Sequence, residues 1–147
     1  MKRFLLIFIS VLVTIGSLSA QSKSKPNTQK AKPHKIVFQM VSKDTADHNA
    51  MVRQLYNIQK LAPGSKIEVV CHGPGMSFIH KDKSLVLDKL KDLAIANKLD
   101  FVACEFTMQQ KNIKREQLLD ECRIVPGGIL EIVEKQEKGW SYIKAGY

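Results

Sequence analysis

Short apolar runs alternate with longer amphipathic segments along the chain, and this alternation limits the fold more than any other feature. Apolar runs of strand length occupy residues 35–41, 66–71, 99–105, 121–125 and 140–144. Apolar residues at helical spacing lie between them, in residues 45–61, 85–97, 109–120 and 129–137. Strands that alternate with helices form parallel sheets. The sequence therefore predicts an α/β domain: a three-layer sandwich with a five-stranded, mostly parallel sheet.

The first twenty residues have the character of a secretory signal peptide. Lys2 and Arg3 are charged, residues 4–15 are almost wholly apolar, and residues 16–20 are mostly small. That order is typical of a signal peptide, and cleavage is expected after Ala20. The apolar run is shorter than the ~20 residues that a spanning helix needs. We expect a periplasmic or secreted protein with no stable membrane span after cleavage.

The positive charge of the chain is concentrated before the expected domain. The full chain has 23 basic and 14 acidic residues, a formal net charge of +9. Residues 21–35 contain five lysines, two prolines and no acid, which predicts a disordered basic linker. The domain is then expected at residues 36–147, where basic and acidic residues nearly balance. A domain without a basic excess argues against a nucleic-acid partner.

The sequence carries no motif for a metal or an organic cofactor. Its three cysteines are not arranged as Cys-x-x-Cys, and no cysteine and histidine spacing of a zinc site occurs. The acidic residues form no paired arrangement for hydrolysis, and no Gly-x-Ser-x-Gly elbow is present. We expect no metal and no cofactor, and the residues alone leave open whether the chain is an enzyme.

Two side chains with thiol or acid–base chemistry follow predicted strands. Cys104 ends the strand at residues 99–105, and His72 follows the strand that ends at Cys71. The carboxyl ends of parallel strands lie at one edge of a sheet, where sites form. Cys104 is either a reactive thiol or a small core residue. His72 is either a helper of that thiol or a turn histidine bonded to backbone.

Glycine-rich turns are predicted at the same edge. Gly73 and Gly75 follow the second strand, and Gly127 and Gly128 precede the last helix. Glycine permits close approach of the backbone, so these loops could present amide groups to an anion or another ligand. The alternative for the second pair is a tight turn that starts a helix.

Four stretches together resemble the DsrE/DsrF-like proteins of the sulfur-relay superfamily. They are Val69-Val-Cys-His-Gly-Pro-Gly75, Ala103-Cys-Glu-Phe-Thr-Met108, and Val125-Pro-Gly-Gly-Ile129 with Gly139-Trp-Ser-Tyr-Ile-Lys144. The resemblance implies a flavodoxin-like α/β fold and assembly into homotrimers or hexamers. In members that transfer sulfur, a cysteine at the position of Cys104 carries persulfide sulfur.

The resemblance implies a thiol-based function for Cys104. We expect an exported sulfur (persulfide) carrier or sulfur-relay component in which Cys104 accepts sulfur and His72 helps. Its partners would be a sulfur-donor protein or a small sulfur compound. The alternative is a non-catalytic oligomer that binds a small molecule or anion in the same strand-end crevice. Glu105 and Phe106 differ from the residues that follow the cysteine in established carriers.

Overall fold

A computed structural model describes residues 31–146 of the chain. Five strands alternate with four α-helices, and two short 3₁₀ segments lie between them. In chain order they are β1 (Lys35–Met40), α1 (Thr45–Leu61), β2 (Lys66–Cys71), a 3₁₀ segment (Gly73–Ile79), α2 (Leu87–Asn97), β3 (Asp100–Cys104), α3 (Glu105–Gln110), a 3₁₀ segment (Arg115–Gln117), β4 (Arg123–Val125), α4 (Gly128–Glu137) and β5 (Ser141–Ala145).

The five strands form one parallel sheet, which confirms the predicted fold class. The strand order is β4-β3-β2-β1-β5. Consecutive strands from β1 to β4 are neighbours, and only β5 returns to the other side of β1. The connection between β4 and β5 therefore crosses the whole sheet, and α4 forms that connection.

The sheet separates two cores of unequal size. The larger core lies between the sheet and α1, α2 and the first 3₁₀ segment, and it includes Phe38, Phe78, Leu90 and Phe101. The smaller core contains four valines from four strands and Ile132 of α4, with Trp140 beside them; the valines are Val37, Val70, Val102 and Val125. One helix thus covers the second face, and α4 contacts β1, β2, β3 and β5.

A cluster of charged side chains attaches α4 to the sheet. The Glu68 carboxylate is fully buried under α4 and accepts from Arg123 Nη2 at 2.8 Å and from Lys135 Nζ. Arg123 also binds Asp100 Oδ2 at 2.7 Å and Glu131 Oε1 at 2.6 Å. Burial raises the pKa of Glu68, although Lys135 and Arg123 oppose this. A buried carboxylate needs such partners, because an unpaired charge in the interior is costly.

The segment between α3 and β4 differs from the predicted helix over residues 109–120, and that prediction was wrong. Helix α3 begins at Glu105 and ends at Gln110, and Asn112 has a φ of +50° that ends the helical path. The Arg115 guanidinium then binds three backbone oxygens, those of Leu119 (2.8 Å), Asp120 (2.6 Å) and Cys122 (3.0 Å). The loop is held by these bonds, and it places Leu118 and Leu119 in the core.

Residues just before the predicted domain start at residue 36 also contact the fold. Ala31 N–H donates to Leu61 O at 2.7 Å, and His34 O accepts from Lys66 N–H at 2.8 Å. The predicted signal peptide, residues 1–20, and most of the predicted linker lie outside the described residues. Within residues 31–146, no helix has the length and apolar character required to cross a bilayer.

We expect the Arg123→Met variant to lose about 3 kcal/mol of unfolding free energy, because it leaves buried carboxylates short of a cation. Urea denaturation measures the loss. The control is Lys138→Met, since Lys138 forms an exposed pair with Glu134 at 3.6 Å. Exposed pairs contribute less than about 1 kcal/mol. Equal losses in the two variants would mean that the buried cluster does not stabilise the attachment of α4.

Candidate functional site

Cys104 lies where β3 ends and α3 begins. It is the last residue of the strand and the N-cap of the helix, so its side chain is next to the first free N–H groups of α3. The residue is 5% exposed and faces the smaller core, under the start of α4. The thiol is therefore recessed.

The surroundings of Cys104 favour the thiolate. Burial raises the pKa of Cys104, but the Thr107 hydroxyl and the N–H groups of Gly128, Thr107 and Phe106 lower it by a larger amount, and the net shift is downward. The sulfur forms no close capping bond with α3, so these donors act as dipoles gathered around it. Dipoles of this kind stabilise a negative charge without a neighbouring cation.

Thr107 connects Cys104 to the turn after β2. Its Oγ1 accepts a hydrogen bond from Gly73 N–H at 3.0 Å. This bond occupies the hydroxyl as an acceptor, so its hydrogen is free to face the sulfur of Cys104. Thr107 is buried, which keeps water away from the pair. The turn at Gly73 thus orients the hydroxyl that lowers the thiol pKa.

Gly128 brings Cys104 and His72 together. A Cβ atom at Gly128 would lie 3.1 Å from Cys104 Cβ, 3.2 Å from Val70 Cγ1 and 3.3 Å from His72 Cβ. Contacts this short are tighter than most Cβ contacts, so a side chain here would require Cys104, Val70 and His72 to shift by a few tenths of an ångström. The first turn of α4 therefore rests directly on the ends of β2 and β3. Three of the residues predicted from the sequence meet at this point, Cys104, His72 and Gly128.

The His72 ring points along the sheet toward β1. The Tyr142 hydroxyl donates to Gln39 Oε1, and Gln39 Nε2 lies 2.7 Å from His72 Nε2. An amide nitrogen can only donate, so His72 Nε2 accepts and the ring proton is on Nδ1. Burial lowers the pKa of His72, which favours the neutral ring at pH 7. His72 is thus a neighbour of Cys104, and its ring accepts a hydrogen bond from Gln39.

The other glycines predicted at the site have different surroundings. Gly75 is buried, and a Cβ atom there would lie 2.0 Å from Met40 O, so only glycine fits beside this carbonyl. Its N–H donates to His72 O at 3.0 Å. A Cβ atom at Gly127 would lie 3.8 Å from the Phe106 ring, near the exposed start of α4. Binding of an anion by these loops stays a prediction.

The other two cysteines lie away from this site. Cys71 is fully buried in the larger core, on the opposite face of the sheet from Cys104. Burial, and secondarily the proximity of Cys122, raises the pKa of Cys71 well above its ordinary value. Burial likewise raises the pKa of Cys122. All three thiols are free, and of the three only Cys104 has a lowered pKa.

Sequence reasoning did not identify Thr107, Gln39 or Tyr142 as parts of the site. Thr107 carried a usable signal, because a hydroxyl three residues after an N-cap residue can face back toward it. Gln39 is a polar residue in an apolar strand, which also marks a position with a specific partner. Tyr142 carried no such signal, because its contact depends on β5 pairing with β1.

Comparison with known proteins supplies a family and a fold. A model of the DsrE/DsrF-like family matches residues 21–145. A solved structure of a protein of unknown function from Methanobacterium thermoautotrophicum is similar, with a TM-score of 0.71 and 24% sequence identity; the match covers 76% of this chain and 98% of that one. At this identity the likeness concerns the fold alone. Among curated proteins, none matches the chain.

We expect the Thr107→Val variant to raise the pKa of Cys104, because the hydroxyl donor is lost while the side-chain volume is kept. Iodoacetamide alkylation at pH 7 should slow by roughly three- to tenfold, about the worth of one hydrogen bond. The pH at which the rate reaches half its maximum should move upward. Peptide mass spectrometry assigns the alkylated cysteine.

The matched control is Thr107→Ser, which retains the hydroxyl and should retain the rate. If valine and serine slow alkylation equally, the hydroxyl does not set the reactivity of Cys104. If Cys71 or Cys122 alkylates as fast as Cys104 in the folded wild-type protein, the site is not selectively activated.

Proposed function

The chain belongs to the DsrE/DsrF-like family, and on that basis we propose that it is an exported persulfide carrier in which Cys104 holds the sulfur. The observation that supports the proposal most is the position of the buried Cys104 thiol, at the N-terminus of α3 and against the first turn of α4, where the pKa of Cys104 is lowered although burial opposes this. Burial alone makes a thiol inert, as at Cys71. A buried thiol whose pKa is nevertheless lowered, by one hydroxyl and three backbone N–H groups, is typical of a functional site.

The proposed step is a transfer of sulfane sulfur between thiols. The Cys104 thiolate attacks the outer sulfur of a donor persulfide, R–S–SH, and forms a new S–S bond. The S–S bond of the donor breaks, and the donor leaves as the thiolate R–S⁻, which takes up a proton from solvent. Cys104 is left as Cys–S–SH, and no external oxidant or reductant is consumed.

The recessed position of Cys104 favours a small donor. With the residue 5% exposed, the thiol is reached more easily by a slender persulfide than by a cysteine on a flat protein surface. His72 is neutral and bonded to Gln39, so the proposal gives it no role as a cation for the thiolate. Its side chain packs beside Gly128 and forms part of the wall of the site.

We expect the purified protein to gain one sulfur when it is incubated with glutathione persulfide. Intact-mass spectrometry measures this gain, which should disappear in Cys104→Ser. If the protein is taken from the periplasmic fraction, the same spectrum should show a chain that begins at Gln21. A mass that retains residues 1–20 would contradict the proposed export.

The matched control is Cys122→Ser, which removes another buried thiol and should leave the sulfur gain intact. A gain that persists in Cys104→Ser would place the sulfur elsewhere. Absence of any gain in the wild-type protein, under conditions where it is folded and reduced, would reject the carrier function.

We further propose that the protein is a homo-oligomer, a trimer or hexamer, assembled through the outer side of α4. Large apolar side chains are exposed around Gly127 and along α4; they are Phe106, Ile129, Leu130 and Val133. Gly127 lies between two of them, because a Cβ atom at this position would lie 3.7 Å from Leu130 Cβ and 3.8 Å from the Phe106 ring. Contiguous apolar side chains of this kind are typical of subunit contacts.

We expect Leu130→Glu to shift the protein toward the monomer, because a carboxylate in the centre of an apolar contact is costly to bury. Light scattering during gel filtration measures the mass of the assembly. The control is Leu85→Glu, since Leu85 is 79% exposed and lies before α2, away from α4. A wild-type monomer, or equal behaviour of both variants, would argue against assembly through this surface.

A further inference from the structure

A basic cavity lies beside the turn at Gly73, separate from the recess that holds Cys104. Its volume is about 460 Å³, and Cys104 is not among its lining residues. Three lysines line it, Lys43, Lys83 and Lys111, together with His80 and Gly73, and no carboxylate does. Volumes of about 300–1,000 Å³ are usual for sites that bind small molecules.

The three lysines reach the cavity from different parts of the chain. Lys43 lies between β1 and α1, Lys83 precedes α2, and Lys111 follows α3. Within residues 31–146, none of them has a carboxylate oxygen within 4.0 Å, whereas Lys81, Lys135 and Lys138 each form an ion pair. A bound anion would supply the opposite charge that these three side chains lack among the described residues.

His80 also lines the cavity. The residue is 3% exposed, and its Nδ1 accepts from Asp82 N–H at 3.2 Å. Burial, followed by Lys83, lowers the pKa of His80, and Asp82 only partly opposes this, so the ring is neutral at pH 7. A neutral ring that accepts at Nδ1 carries its proton on Nε2. The described residues do not use that N–H.

We propose that this cavity binds a small polyanion, a molecule that bears two or three phosphate or carboxylate groups. The observations that carry the proposal are the concave wall, three lysines without ion-pair partners, and the unused donor of a buried histidine. A single small anion would leave part of the lysine charge unmatched. The site is independent of sulfur transfer at Cys104, and it would exist even if the thiol carried nothing.

Isothermal titration calorimetry of the full chain with pyrophosphate tests the proposal. The affinity is measured at low and at physiological ionic strength. The double variant Lys83→Met with Lys111→Met should bind about tenfold or more weakly, because it loses two charge-assisted contacts. The charge-matched control is Lys23→Met with Lys25→Met, which removes two lysines of the basic linker and should change binding by less than about twofold.

Two further variants test whether the lysine charge, rather than a folding defect or the Cys104 thiol, determines the affinity for pyrophosphate. Lys83→Arg with Lys111→Arg keeps both charges and should retain most of the binding. Cys104→Ser should bind pyrophosphate as the wild-type protein does, whatever the outcome of the sulfur-transfer experiment. Phosphate should bind more weakly than pyrophosphate.

Three results would overturn the proposal. The first is a wild-type protein that does not bind pyrophosphate at low ionic strength. The second is binding that the linker variant weakens as much as the cavity variant, which would assign the affinity to the linker lysines. The third is equal affinity for phosphate and pyrophosphate, which would mean that the cavity does not select a polyanion.

Discussion

The first turn of α4 lies directly against the ends of β2 and β3, and this contact fixes the helix over the second face of the sheet. One helix covers the second face of the sheet, and it must cross from the β4 edge to the β5 edge. At Gly128 a side chain would crowd Cys104, Val70 and His72, at 3.1 to 3.3 Å. Farther along α4, Lys135 and Glu131 join the ion cluster around Glu68. Both attachments fix the same helix, so the position of Gly128 N–H near the Cys104 sulfur follows from the fold itself.

The sequence predicted the sheet well because its strands are buried apolar runs. Such runs can be recognised from neighbouring residues alone, without knowledge of contacts that are distant in sequence. It also placed Cys104, His72 and Gly128 at one edge, since parallel strands share the direction of their carboxyl ends. It failed over residues 109–120, where Ile113, Leu118 and Leu119 have helical spacing but belong to a loop that Arg115 holds through backbone oxygens. Side-chain spacing reports which residues are buried, and an irregular loop can bury the same residues.

The site was predicted less completely than the fold, because its chemistry depends on pairs that are distant in sequence. Thr107 acts on Cys104 only because Gly73 N–H occupies its acceptor position. The His72 ring points toward β1 because Gln39 bonds it, and the Tyr142 bond to Gln39 requires β5 to lie beside β1. The distribution of charge also depends on contacts between residues that are distant in sequence. The domain is nearly balanced in total, yet a cluster of paired charges lies under α4, while Lys43, Lys83 and Lys111 line the basic cavity without ion-pair partners among residues 31–146.

The means by which the thiolate is stabilised decides how a persulfide on Cys104 would behave. An imidazolium partner would tie reactivity to the titration of a histidine, but burial lowers the pKa of His72 and keeps it neutral. The Thr107 hydroxyl and the N–H groups of Gly128, Thr107 and Phe106 do not titrate near neutral pH. A lowered thiol pKa also makes Cys104 a better leaving group, since thiols of lower pKa depart faster from an S–S bond. The same donors would therefore favour acceptance of a sulfur atom and its release to the next thiol, which is the balance that a carrier requires.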